Sequence, residues 1–234
     1  MMMKAMTTPV IKDLVLLGGG HSHVETLRSF GMRPVPGVKL TLVSRDIHTP
    51  YSGMLPGYVS GFYAFDDCHI DLSQLAKFAG ATLVHAEAIH IDPQGRELRF
   101  ESRPPMRYDL LSVDIGITPG ASSIPGASKY TTTVKPISRL VENMDELLKQ
   151  AKEKALKVAI VGGGAGGVEL TLALQHRLEE DRKAAGNPKH GTSTFSLITR
   201  NEILTTHPKK AQNIFRRILA ERGIKLVENC GGVA

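Results

Sequence analysis

The chain has 234 residues, 41% hydrophobic and 22% charged, with a formal net charge of +6, the balance of a globular protein able to bury a core. Its Lys and Arg residues are spread out, with no block of about five like charges, and aromatics make up only 5%, which argues against nucleic acid as a partner. Two cysteines, Cys68 and Cys230, with no C-x-x-C pair exclude a disulfide scaffold, a zinc knuckle and a redox dithiol.

Met1 to Met6 contain no apolar run of a signal peptide. A cytoplasmic protein is expected, with organelle targeting left open, and no segment reads as a transmembrane span. Asp13–Leu17 reads as a short buried strand. A triple glycine follows, Gly18-Gly19-Gly20, then a helical pattern from Val24 to about Phe30. Pro34, Pro36 and Gly37 break the helix, and Val38–Val43 is the next strand. The stretch His48–Cys68, rich in Pro, Gly, Tyr and Ser, reads as an irregular active-site loop. Ile70–Ala79 reads as a helix capped by Asp71 or a neighbour. Thr82–Ile91 alternates as one strand, Pro93-Gln94-Gly95 turns it, and Glu97–Phe100 returns as a hairpin. Tyr108–Ile115 is a strand ending at Gly116. Thr118–Tyr130 is a Gly/Ser/Pro-rich connection, and Pro136 opens a long helix to about Ala155.

The opening then repeats. Val158–Val161 is an apolar strand, Gly162-Gly163-Gly164 is the turn, and Val168-Glu169 stands where the first copy has Val24-Glu25. A helix from Gly167 to about Lys183, a polar loop over Ala184–Gly191, a strand Phe195–Thr199, a helix Pro208–Arg222 and a strand Ile224–Val227 complete the pattern. Alternating strands and helices give an α/β fold with parallel sheets and helices on both faces. We expect two Rossmann-like, three-layer dinucleotide-binding units, residues 1–135 and 157–234, joined by a helix over 136–156. The second unit breaks off after three strands, so the chain reads as the N-terminal part of a longer protein.

Each turn is suited to pyrophosphate. A helix N-terminus offers free amides and partial positive charge, and glycine lets the phosphate approach closely. In the second turn Gly162, Gly164 and Gly167 fill all three fingerprint positions, with Gly163, Ala165 and Gly166 between them. In the first, His23 stands at the third position. His21, Ser22 and His23 there are either polar cap residues or donors to a phosphate. The strands that follow also rhyme: Thr41-Leu-Val-Ser-Arg-Asp46 with Ser196-Leu-Ile-Thr-Arg-Asn201. Ser44 and Thr199 sit where a carboxylate usually binds the ribose hydroxyls, each followed by arginine. Arg200 could accept a 2′-phosphate or only cover the adenine face; on the first reading NADPH is expected to serve at least as well as NADH.

These motifs resemble those of the pyridine nucleotide-disulfide oxidoreductase-like flavoproteins, and within them the type II NADH dehydrogenases. More narrowly, Leu16-Leu-Gly-Gly-Gly-His-Ser-His-Val24 and His48-Thr-Pro-Tyr-Ser-Gly-Met-Leu-Pro-Gly57 resemble a flavoprotein domain found fused to selenide, water dikinase. The resemblance spans essentially the whole chain. It implies that Gly18 to His23 hold the FAD pyrophosphate, with Ser44 and Arg45 near the adenosine and Ser52 and Gly53 near the flavin. Ala88 matches a strand position whose backbone touches adenine. Tyr108–Gly116 matches the strand returning to FAD, with Asp114 in place of an alanine. Gly162 to Gly167 would hold the NAD(P)H pyrophosphate. Glu169 matches a glutamate near the nicotinamide–flavin contact, or is a first-turn acid favoured by the helix dipole. The family's redox cysteines are absent, so electrons would pass from FAD to a small acceptor such as a quinone. The implied activity is an FAD-dependent NAD(P)H oxidoreductase. The second reading is a non-catalytic dinucleotide-binding module serving a fused or partner selenide, water dikinase.

Overall fold

The computed structural model describes residues 9–116, 126–135, 137–186 and 191–231. The chain divides into two units: Met1–Tyr51 with Cys68–Ile117, and Ser52–Asp67 with Thr118–Ala234.

In the first unit β1 (Lys12–Leu17), α1 (His21–Met32) and β2 (Val38–Ser44) open the chain. β3 (His48–Pro50) pairs antiparallel with β4 (His69–Asp71), and α4 (Leu72–Ala79) follows. Asp71 caps α4, its carboxylate accepting Ser73 N–H at 2.7 Å and Gln74 N–H at 3.2 Å. The Ser73 hydroxyl, first, and these amides hold the Asp71 carboxyl below the usual carboxylate range. β5 (Thr82–His85) and β9 (Leu110–Val113) complete a parallel sheet of order β5-β2-β1-β9.

Strand alternation sorts this sheet into three layers. Leu16, Leu40 and Leu42 pack on Leu27 of α1 and Leu72 of α4. Val15, Leu17, Val43 and Val84 pack instead on Leu98 and Phe100. That second face is covered by an antiparallel sheet, β6 (Ala88–Asp92), β7 (Glu97–Phe100) and β8 (Met106–Arg107), rather than by a helix. Thr82–Ile91 is therefore not one strand. It breaks at Ala86-Glu87, its first half in the parallel sheet and its second in the antiparallel one. The expected Tyr108–Ile115 strand is likewise shorter, β9 alone.

The second unit contains a parallel sheet of order β10-β11-β12: β10 (Lys157–Val161), β11 (Thr194–Ile198) and β12 (Lys225–Val227). Val168 and Leu178 of α7 (Ala165–Ala184) and Leu219 of α8 (Lys209–Glu221) pack with Phe195, Leu197, Ile203, Leu204 and Ile224. The region His48–Cys68 is not irregular. Beyond β3 it forms a 3-10 turn (Ser52–Met54), α2 (Leu55–Val59) and α3 (Phe65–Cys68). Leu55 and Val59, one helical turn apart, bury against Met144 of α6 (Ile137–Glu153) and Ala173 of α7. This places Ser52–Asp67 with the second unit, whereas the sequence assigns it to the first. A short helix, α5 (Ala127–Tyr130), lies in the expected connection, most of which, with Pro136, falls outside the described residues, as does residue range 187–190 of the polar loop. Among the described residues no helix is long and apolar enough to cross a membrane.

Candidate functional site

The first turn links β1 to α1. Gly18 has φ +98°, a conformation that side chains rarely adopt, and its N–H donates to Val43 O at 2.7 Å. A Cβ on Gly18 would overlap the Asp114 carbonyl, and one on Gly20 the Asp114 carboxyl. One on Gly19 would overlap Leu72 and lie 3.2 Å from Ser44 Oγ. Backbone packing and a positive φ therefore demand glycine at 18, whereas at 19 and 20 the obstacles are the side chains of Leu72 and Asp114.

His23 is 2% exposed, so it is no donor on the surface of the turn. Its Nδ1 lies 2.7 Å from Gly18 O and its Nε2 2.9 Å from Ser112 Oγ on β9. A carbonyl oxygen only accepts, so Nδ1 carries the proton, and in the neutral ring the Ser112 hydroxyl donates to Nε2. The ring bolts turn, helix and sheet together. His21 is exposed, its ring 5.1 Å from that of Tyr51. Ser22 uses its carbonyl to accept the Thr26 hydroxyl at 2.8 Å.

Asp114, just past β9, closes over the start of α1. Its carbonyl accepts Gly20 N–H at 3.2 Å, and its Oδ2 accepts Ser22 N–H at 3.0 Å. A carboxylate thus sits on an amide of a helix N-terminus, where the backbone and dipole favour an anion.

The second turn has the same course and different surroundings. Gly162 has φ +125° and donates its N–H to Ile198 O at 2.8 Å. Gly163 packs on Thr199, whose Oγ1 would lie 2.6 Å from an added Cβ, as Gly19 packs on Ser44. Among the described residues nothing lies within 4 Å of a Cβ added at Gly162, Gly164 or Gly166. A Cβ on Gly167 would overlap Gly162 O, so only glycine lets α7 lie this close to its strand. In the first turn the equivalent carbonyl, Gly18 O, meets the His23 ring nitrogen instead. Gly164 is the N-cap of α7, which starts at Ala165 without a side-chain cap or an acid in its first turn. Glu169 lies beyond that turn, exposed, so it is not a first-turn acid.

Ser44 and Thr199 are 5% and 7% exposed. Ser44 donates its hydroxyl to Asp46 O at 2.7 Å. Both side chains are turned into the glycine turns rather than outward to a ribose. Arg45 and Arg200 differ sharply. Arg45 pairs with Asp46 at 3.1 Å and Glu87 at 3.8 Å. Arg200 is exposed and forms no ion pair among the described residues. The acids that follow it are engaged. Glu202 pairs with Lys209 and Arg216, and Glu228 accepts Ile203 N–H at 2.7 Å and Arg216 at 2.8 Å. The Arg216 guanidinium is the main cause holding Glu228 below the usual range.

Ser52 and Gly53 lie exposed in the 3-10 turn of the second unit. Ala88 begins β6, partly buried and paired with Phe100, and Gly116 is exposed with φ +76°. Sequence reasoning missed Asp46 just past β2, Glu87 between β5 and β6, both paired with Arg45, and the position of the Asp114 carboxylate. Asp46 carried one signal, being the first acid after the strand whose end usually bears one.

The profile of the pyridine nucleotide-disulphide oxidoreductase family matches residues 12–232. The chain is 25% identical over 223 residues to the NADH dehydrogenase-like protein YutJ of Bacillus subtilis, covering 93% of this chain and 57% of that protein. It is 25% identical to the NADH-dependent phenylglyoxylate dehydrogenase subunit epsilon of Aromatoleum evansii, covering 91% of this chain and 47% of that one. The chain thus spans about half the length of these relatives. Among solved structures it resembles NDH2 from Plasmodium falciparum in complex with NADH, with a TM-score of 0.81 at 18% identity, over 93% of this chain and 48% of that one.

Proposed function

The chain belongs to the pyridine nucleotide-disulphide oxidoreductase family, and we propose that it binds NAD(P)H on the second turn and FAD on the first, as an NAD(P)H oxidoreductase. The observation that carries this reading is the second turn. Its glycines leave room for a phosphate, its helix N-terminus bears no side-chain cap, and just beyond the next strand the exposed Arg200 forms no ion pair among the described residues. When bound, nicotinamide and flavin supply hydride transfer. The chain's residues bind and orient them. The α7 amides take the pyrophosphate oxygens, and Gly163 with Thr199 fixes the turn's shape. Arg200 takes a 2′-phosphate, its charge paired with no acid among the described residues. Gly162 and Gly167 hold helix to strand so that these donors converge.

The first turn has the glycine geometry for a second dinucleotide, and Asp46 and Glu87, tied to Arg45, are candidates for the ribose hydroxyls. The acceptor is a small molecule, and a quinone fits the names of several relatives, among them the sulfide-quinone reductase of Aquifex aeolicus. A fused or partner selenide, water dikinase domain belongs to the same proposal, supported only by the Leu16–Val24 and His48–Gly57 motifs.

The test is anaerobic addition of NADPH and of NADH to the protein loaded with FAD. The flavin band should bleach with both. NADPH should bind at least as tightly as NADH. No bleaching refutes the oxidoreductase reading, and NADH binding more than about tenfold tighter refutes the role of Arg200.

A further inference from the structure

We propose that Asp114 is a built-in competitor for the cofactor's pyrophosphate at the first turn, and so sets the affinity for FAD. The inference rests on the reading of that turn as the FAD site. The two turns share a course, yet a Cβ at Gly164 meets open space while one at the equivalent Gly20 meets the Asp114 carboxyl. The first turn is filled by an anion the protein carries itself. Asp114 is held there twice, its carbonyl accepting Gly20 N–H at 3.2 Å and its Oδ2 accepting Ser22 N–H at 3.0 Å. The α7 turn has no such carboxylate among the described residues.

A phosphate seeking the same amide meets two obstacles. The Ser22 N–H is already engaged, and a negative charge stands within a few ångströms of the phosphate oxygens. Asp114 is only partly buried, so its side chain can swing out by a change of rotamer while the carbonyl anchor stays. FAD then enters by exchange, one anion for another. The first turn holds its cofactor more loosely than its glycines alone would imply.

The measurement is FAD titration, followed by quenching of flavin fluorescence, of the wild-type chain and of the D114N and D114A variants. NADPH titration of the same proteins serves as a control on the second turn. Asparagine keeps the shape and removes the charge. Two unit charges at about 4 Å repel enough, even in water, for roughly a fivefold effect, so D114N should bind FAD at least about fivefold tighter. D114A, which also frees the Ser22 amide, should bind tighter still. NADPH affinity should stay within twofold. FAD affinity unchanged or weakened in D114N overturns the inference, and this variant decides if D114A loses its fold. Should wild type and both variants take up NADPH but no FAD, the reading of the first turn as an FAD site falls, and the inference with it.

Discussion

Replacing His23 by glycine restores the third position of the fingerprint, and the structure says it should damage the protein. The ring is 2% exposed and bridges Gly18 O at 2.7 Å and Ser112 Oγ at 2.9 Å. Two hydrogen bonds at about 1 kcal/mol each give about 2 kcal/mol. Lost packing of a buried ring adds about 1–2 kcal/mol, since Ser112 is exposed and water can refill part of the space. Glycine within the first turn of α1 costs up to about 1 kcal/mol more than alanine. His23→Ala should therefore cost about 3–4 kcal/mol and His23→Gly about 4–5. At about 2–4 °C per kcal/mol for a chain of this size, His23→Gly should lower the thermal midpoint of the first unit by roughly 8–20 °C. NADPH binding at the second turn should be unchanged. The assay is thermal unfolding followed by circular dichroism, paired with NADPH titration. A neutral or stabilising His23→Gly would mean that the ring is no structural bolt.

Gly167→Ala should push α7 from its strand, because the new methyl overlaps Gly162 O. NADPH affinity should drop at least tenfold, and calorimetric titration checks it. Arg200→Ala should weaken NADPH about tenfold and leave NADH within twofold; equal losses for both nucleotides would remove Arg200 from 2′-phosphate recognition. Glu228→Gln should cost about 2 kcal/mol, since a charge-assisted set of bonds to Ile203 N–H and Arg216 is weakened. The folded pKa of Glu228 is depressed, so its contribution is present above the unfolded value of about 4.3 and is lost as pH falls through the folded value. Denaturant unfolding at neutral and acid pH should show the wild-type advantage over Glu228→Gln shrinking in acid; an advantage that does not change with pH contradicts this.

The strand-turn-helix repeats were legible because they are local. Alternating apolar residues, a glycine at positive φ and the following helix all lie within about fifteen residues, and local pattern suffices. The Asp71 cap was legible for the same reason. What escaped was long-range. Asp114 meets Ser22 across 92 residues, and His23 meets Ser112 across 89; no spacing rule links such pairs. The break in Thr82–Ile91 escaped because both halves alternate with the same period, and nothing in that period says which sheet each joins. α2 escaped because Pro and Gly in Leu55–Val59 read as loop, while burial of Leu55 and Val59 against α6 and α7 overrides local preference. Ser44 and Thr199 hold matching places in the two repeats, but their burial against Gly19 and Gly163 shows a packing role that position along the strand does not disclose.

Two turns for two different dinucleotides require that both bind one chain at once. Equilibrium dialysis of the intact chain against FAD and NADPH together should find one of each per chain, neither displacing the other. Mutual displacement, or a single dinucleotide per chain whichever is offered, would contradict it.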